Sequence, residues 1–228
     1  MKSSRAYFAV LTVLLGMGTA SAEKICGEIK NTFGPFDYRK AASLPEQYFL
    51  VVSTHFTSDV EHNIKGHSTD YLAGDIDYTL RAWPNHPAAL ASMSRQGIIE
   101  KSLQPRGAKW PVDCYFLRAF EFAPDDGTPH AVFANHLYAH GKNEEALREF
   151  KRAVELEPEN PTINYNAGLA YVRTKEYDKA LYHAKKAYAQ NFPLPGLKNK
   201  LVEAGKWNDE PLPDPKPSQP AGDDTPSK

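Results

Sequence analysis

The chain is 228 residues long, with a formal net charge of −1, 41% hydrophobic residues and 24% charged ones. That length accommodates one or two domains with a real core, and the near balance of charge excludes a nucleic-acid binder, which needs a basic stripe. The two cysteines, Cys26 and Cys114, form no Cys-x-x-Cys pair, which excludes dithiol redox catalysis and a cysteine-based zinc site.

Residues 1–22 read as a secretory signal peptide. Lys2 and Arg5 form a short positive region, Ala6 to Leu15 is almost wholly apolar, and Thr19-Ala20-Ser21-Ala22 places small residues before a cut at Glu23. The apolar run is about half the ~20 residues that a spanning helix needs, and no later segment is long and apolar enough to span a bilayer. Removing the leader takes away two positive charges and leaves −3. Export, to the periplasm or as a secreted protein, is the expectation. Glu23-Lys24-Ile25 before Cys26 is not the small, apolar lipobox that lipidation requires. An even cysteine count in an oxidising compartment predicts one disulfide, Cys26 to Cys114, pinning the N-terminal segment to the middle of the chain. The competing expectation is two separate thiols.

Residues 23–45 read as an N-terminal capping segment, because Gly34-Pro35-Phe36-Asp37-Tyr38 is turn-rich and breaks any helix across it. Residues 46–127 then read as two stretched helical hairpins. Helices are expected over 54–65 and 70–83, and another over 87–103 followed by a long turn at 104–111. Asp75 and Asp77 are expected on the solvated face of the 70–83 helix, and Asp125-Asp126 at a turn and helix start.

Residues 128–193 hold two regular repeats. Ala146, Phe150, Ala153 and Pro158 recur as Ala180, Ala184, Ala187 and Phe192, each 34 residues on. Upstream, Phe133, Ala134, Leu137 and Gly141 recur as Ala167, Gly168, Tyr171 and Lys175 at the same interval. Small residues let paired helices approach closely, large ones such as Leu137, Phe150 and Tyr171 fill the space beside them, and Pro158 ends a hairpin. The same register, more loosely kept, places Ala119 and Pro124 on Ala153 and Pro158, and Pro84-Asn85-His86-Pro87 on Pro158-Glu159-Asn160-Pro161. Residues 194–206 are expected to form a capping helix. Residues 207–228, with six prolines and almost no apolar side chains, are expected to be a disordered tail.

This pattern resembles the tetratricopeptide-repeat (TPR) family, strongly over 128–192 and loosely over 45–127. The resemblance implies an all-α, right-handed superhelical stack of helix-turn-helix hairpins, each burying its apolar face on the next. It also implies a scaffold that holds a protein or peptide on the face made by the first helix of each hairpin. Carried onto this chain, the partner-binding groove is Asn135, Tyr138, Tyr165, Asn166, Leu169 and Arg173. Asn135 and Asn166 fall where some family members grip a peptide backbone or C-terminal carboxylate, but the matching lysine position holds Ala131, so the full clamp is absent. Fold does not fix function.

Two other readings compete. His136 and His140 stand four apart on an expected helix, with His130 and Glu144 nearby in sequence, so a metal-dependent or hydrolytic enzyme is one. Two histidines are short of a zinc site, however, and Leu137 follows where the catalytic helix motif needs Glu. His55, His62 and His67 carry no ligand spacing. No Gly-x-Ser-x-Gly elbow or phosphate-binding Gly-rich loop is present, so no catalytic residue, metal or cofactor is assigned. The other reading is a small-ligand module in the aromatic front half, where Phe36, Tyr38, Arg39, His55-Phe56 and Trp83-Pro84 either build a docking surface or seal the end of the stack.

Overall fold

The computed structural model describes residues 26–212. The expected leader and residues 213–228 of the expected tail lie outside the described residues. The described residues are all-helical, arranged as successive packed helix pairs, and the chain divides into two compact units, Met1–Pro124 and Asp125–Lys228. No helix among them is long and apolar enough to cross a membrane.

In the first unit, a 3-10 turn, Tyr38–Ser43, leads into α1 (Pro45–His55), a short α2 (Ser58–Glu61), α3 (Leu72–Ala82), α4 (Pro87–Glu100) and α5 (Val112–Phe122). The first helix therefore differs from the expected 54–65. Pro45 sits at N1, where its fixed φ suits a helix start, and the chain leaves the helix at Phe56. Apolar residues run nearly all round this helix (Tyr48, Phe49, Leu50, Val51 and Val52), yet only Val51 is buried, so no stripe marked its register. The helix expected over 87–103 stops at Glu100, because Lys101 turns left-handed with φ +49°.

Asp75 and Asp77 are not on a solvated face; both are buried. The Asp75 carboxylate accepts the backbone N–H groups of His67 at 2.7 Å, Ser68 at 3.1 Å and Thr69 at 3.3 Å, and pairs with His55 Nδ1 at 2.9 Å. Burial alone pushes its pKa up, but these donors outweigh that and hold it below the usual carboxylate value. Asp77 accepts Tyr115 Oη–H at 2.5 Å and Arg81 Nε–H at 2.9 Å. The two acids thus pin a turn and a neighbouring helix to α3.

Cys26 and Cys114 are joined, with Cα atoms 5.2 Å apart. Beside the bridge, the buried Arg118 donates through Nη1 to the carbonyls of Cys26, Gly27 and Glu28 at 3.0, 2.9 and 2.8 Å. Its guanidinium lies 4.0 Å from the Trp110 ring centre, a cation–π arrangement. The front aromatics take the sealing role: Phe33, Phe36, Tyr38 and Tyr48 pack on Val51, Ala82 and the fully buried Trp83. Phe36 N–H donates to Ala82 O at 2.8 Å. Arg39 is held by Asp37 at 2.8 Å.

The second unit follows the 34-residue pattern closely. Its helices are α6 (Gly127–Ala139), α7 (Asn143–Leu156), α8 (Pro161–Arg173), α9 (Tyr177–Ala189) and α10 (Gly196–Glu203). Asp126 caps α6 by accepting Thr128 N–H, and Asn160 caps α8 by accepting Thr162 and Ile163 N–H. Ala134, Ala146 and Ala153 are fully buried with Phe150 and Leu137, and Ala180, Ala184 and Ala187 are fully buried with Tyr165, Tyr171 and Leu197. A Cβ at Gly168 would stand 2.4 Å from Leu197 Cδ2, so only glycine lets α10 lie this close. Leu197 and Leu201 close the end of the stack. Trp207, at the start of the expected tail, packs into that same cluster, and its Nε1 donates to Asp209 at 2.9 Å.

Candidate functional site

The expected groove residues divide between two environments. An α-helix turns by about 100° per residue, which puts Asn135 and Tyr138 together on α6, and Asn166 and Arg173 together on α8. The structure brings these two faces side by side, with the Arg173 guanidinium 4.7 Å above the Tyr138 ring. Asn135 is exposed and its Nδ2 donates to Ala131 O at 3.2 Å. Arg173 is exposed and Asn166 is half-buried. Neither Arg173 nor Asn166 has a side-chain hydrogen bond or ion pair among the described residues.

Tyr138 presents its ring rather than its hydroxyl. The Oη atom is buried and has no hydrogen-bond partner. Burial pushes its pKa up, against the opposing charge of Arg173. Leu169 is half-buried against the α9–α10 cluster. Tyr165 lies about a quarter turn from Asn166 and is turned inward. It is buried against Phe192, ring centres 4.5 Å apart, with Gly196 beneath its hydroxyl. Its surroundings are those of a residue that joins α8 to the end of the stack, and it leaves little surface to a partner.

The histidines separate as well. His136 and His140 do share a face, with ring centres 4.5 Å apart, but His136 is buried and stacks on Phe133. His130 pairs with Glu149 at 2.7 Å. No group of three His, Cys, Asp or Glu among the described residues is close enough to hold a metal ion.

Sequence reasoning passed over one feature on the other side of α8. Phe150, Val154, Ala167, Tyr171 and His183 line a cavity of about 230 Å³ between α7, α8 and α9. The only signal for it was His183 on the inward face of α9, between the alanines at 180, 184 and 187.

Comparison with known proteins decides what this architecture is. The family model described as TPR repeat matches residues 134–175, which begin within α6, cover α7 and run through α8 (Pro161–Arg173). The chain carries tetratricopeptide repeats. It is also 33% identical over 55 residues to the Hsp70-Hsp90 organising protein of Plasmodium falciparum (isolate 3D7). That stretch covers 24% of this chain and only 10% of the relative. Tetratricopeptide-repeat proteins are generally non-enzymatic scaffolds that bind proteins or peptides.

Proposed function

We propose that this protein is an exported scaffold, periplasmic or secreted, that holds a protein or peptide partner on the α6–α8 face. The observation carrying this reading is the Arg173–Tyr138 contact. It merges two helices into one surface while leaving the Arg173 N–H groups and the Asn166 amide without a hydrogen-bond partner among the described residues. A cation stacked on an aromatic ring still offers its edge donors to an incoming carboxylate or carbonyl. The relative's name describes a protein that organises two other proteins, in keeping with a holding role. Export is supported by the leader pattern of residues 1–22 and by a disulfide of the sort that persists in oxidising compartments.

Crosslinking in intact cells followed by purification tests the reading. The wild type should retain a stoichiometric protein partner. The triple variant Asn135→Ala/Asn166→Ala/Arg173→Ala should lose it at least tenfold, with helicity and melting temperature unchanged. A partner retained equally by both would move the binding surface elsewhere. Location is checked by fractionation, where chain recovered with an intact leader in the cytoplasm would defeat the export half of the proposal.

A further inference from the structure

We propose that the cavity between α7, α8 and α9 is a second binding site, which takes a single neutral aromatic ring bearing a hydrogen-bond donor, that is, a phenol. Size comes first. An apolar cavity of about 150 Å³ accepts benzene, so about 230 Å³ accommodates one six-membered ring with a small substituent. The walls are apolar and flat: Phe150 is fully buried, Ala167 leaves the space open, and the Tyr171 and His183 rings lie parallel within 7°, centres 5.4 Å apart.

The polar element is a histidine whose tautomer the surrounding hydrogen bonds decide. Asn164 Nδ2 donates to Pro158 O at 2.8 Å and Asn160 O at 2.9 Å. Its Oδ1 is therefore the atom facing His183 Nδ1 at 2.9 Å, and it accepts. His183 Nδ1 consequently carries the proton and Nε2 carries the lone pair. Nε2 has no hydrogen-bond partner among the described residues, and it is not among the fully enclosed atoms left unpaired. Burial, and then the nearby Lys186 charge, depress the His183 pKa to about 4, which keeps the ring neutral at pH 7. An acceptor on an apolar wall selects a donor. Lys151 and Glu155 stand at the rim with opposite charges, so the mouth favours neither an anion nor a cation.

This site lies about a third of a turn around α8 from Asn166 and Arg173, so it can be occupied independently of the partner face. The donor has two sources: a free phenolic molecule, or the tyrosine side chain of a bound protein. Both share the chemistry and differ in what is attached to the ring.

NMR titration of the full chain with ring-labelled histidine decides the matter. The probes are p-cresol, toluene as its donor-free match, and N-acetyltyrosinamide as a chain-borne phenol. p-Cresol should move the His183 Nε2 resonance as hydrogen-bond acceptance does, and toluene should not. His183→Phe removes the acceptor and should lower the preference for p-cresol over toluene by about 2- to 10-fold, the worth of one hydrogen bond. Ala167→Leu fills the cavity and should abolish binding of both. Binding of N-acetyltyrosinamide assigns the site to a protein's tyrosine, and its failure beside p-cresol binding assigns it to a free phenol. The proposal is overturned if p-cresol leaves Nε2 unmoved, or if Ala167→Leu binds as the wild type does. Should His183→Phe fail to fold, those last two measurements decide alone.

Discussion

Replacing both Cys26 and Cys114 by alanine should destabilise the first unit by about 4–5 kcal/mol. The bridge closes a loop of sequence separation 88. The chain-entropy relation for a loop that long comes to about 4.6 kcal/mol at 25 °C, close to its value for a 100-residue loop. The enthalpic consequence runs the same way. Without the bridge, the segment whose three carbonyls receive Arg118 Nη1 keeps those bonds and the packing of Trp110 on Gly27 but loses its covalent tie. Every opening then leaves a buried guanidinium facing no acceptor. Guanidinium unfolding followed by tryptophan fluorescence measures this directly. Trp207→Phe in both proteins leaves Trp83 and Trp110, both in the first unit, as the reporters. Adding a reductant to the bridged protein should reproduce the same loss. A difference below about 1 kcal/mol would refute the reasoning, because it would mean that the unfolded chain is already compact enough for the bridge to restrict nothing.

His86 and His183 are both held near pKa 4 by burial, against an ordinary value of 6.5. The unfolded chain binds protons first, so stability is full above pH 6.5 and falls as pH drops towards 4, by at most about 1.4 kcal/mol per pH unit for each histidine. Asp37, held at about 2 against 3.8 by Arg39 and Asn85 in spite of its partial burial, loses its contribution only below that window. Urea midpoints that stay level between pH 7 and pH 5 would contradict this. Asp75→Asn removes the charge that receives three backbone N–H groups and His55, and should destabilise the first unit by about 2–4 kcal/mol. Amide exchange at His67, Ser68 and Thr69 should accelerate with it; unchanged protection would show that the turn holds itself. Tyr138→Phe removes a buried hydroxyl with no partner and should raise stability by about 1 kcal/mol, whereas a lower melting temperature would reveal a partner. Gly168→Ala drives a methyl into Leu197 and should destabilise the second unit by about 1–3 kcal/mol, read as earlier thermal unfolding.

What the sequence alone determined is the part of this protein that depends on periodicity. Two hairpins at a 34-residue spacing were legible because a close helix contact tolerates only alanine or glycine. Ala134, Ala146 and Ala153 therefore recur as Gly168, Ala180 and Ala187 at a set interval whatever the rest of the chain does. The helix start at Asp125-Asp126 was legible for a similar local reason, since the Asp126 cap acts on a residue two further on. Composition left the disulfide one possible pairing, since there are two cysteines, and the structure decided between that bridge and two separate thiols.

Tertiary structure decided whatever joins residues far apart in the chain. Asp75 and Asp77 looked like surface acids because an acidic side chain on a helix carries no local mark of burial. Their donors come from His67 to Thr69 and from Tyr115, and only the folded unit brings these to α3. The division of the groove had the same origin: Tyr165 and Asn166 are neighbours in sequence, and the docking of Phe192 and α10 buries one while leaving the other half-open. His183 completes the case, because its tautomer rests on Asn164, whose own orientation rests on two carbonyls at the preceding turn. A chain of hydrogen bonds across two helices has no sequence spacing of its own, so it becomes visible only once packing has brought its members together.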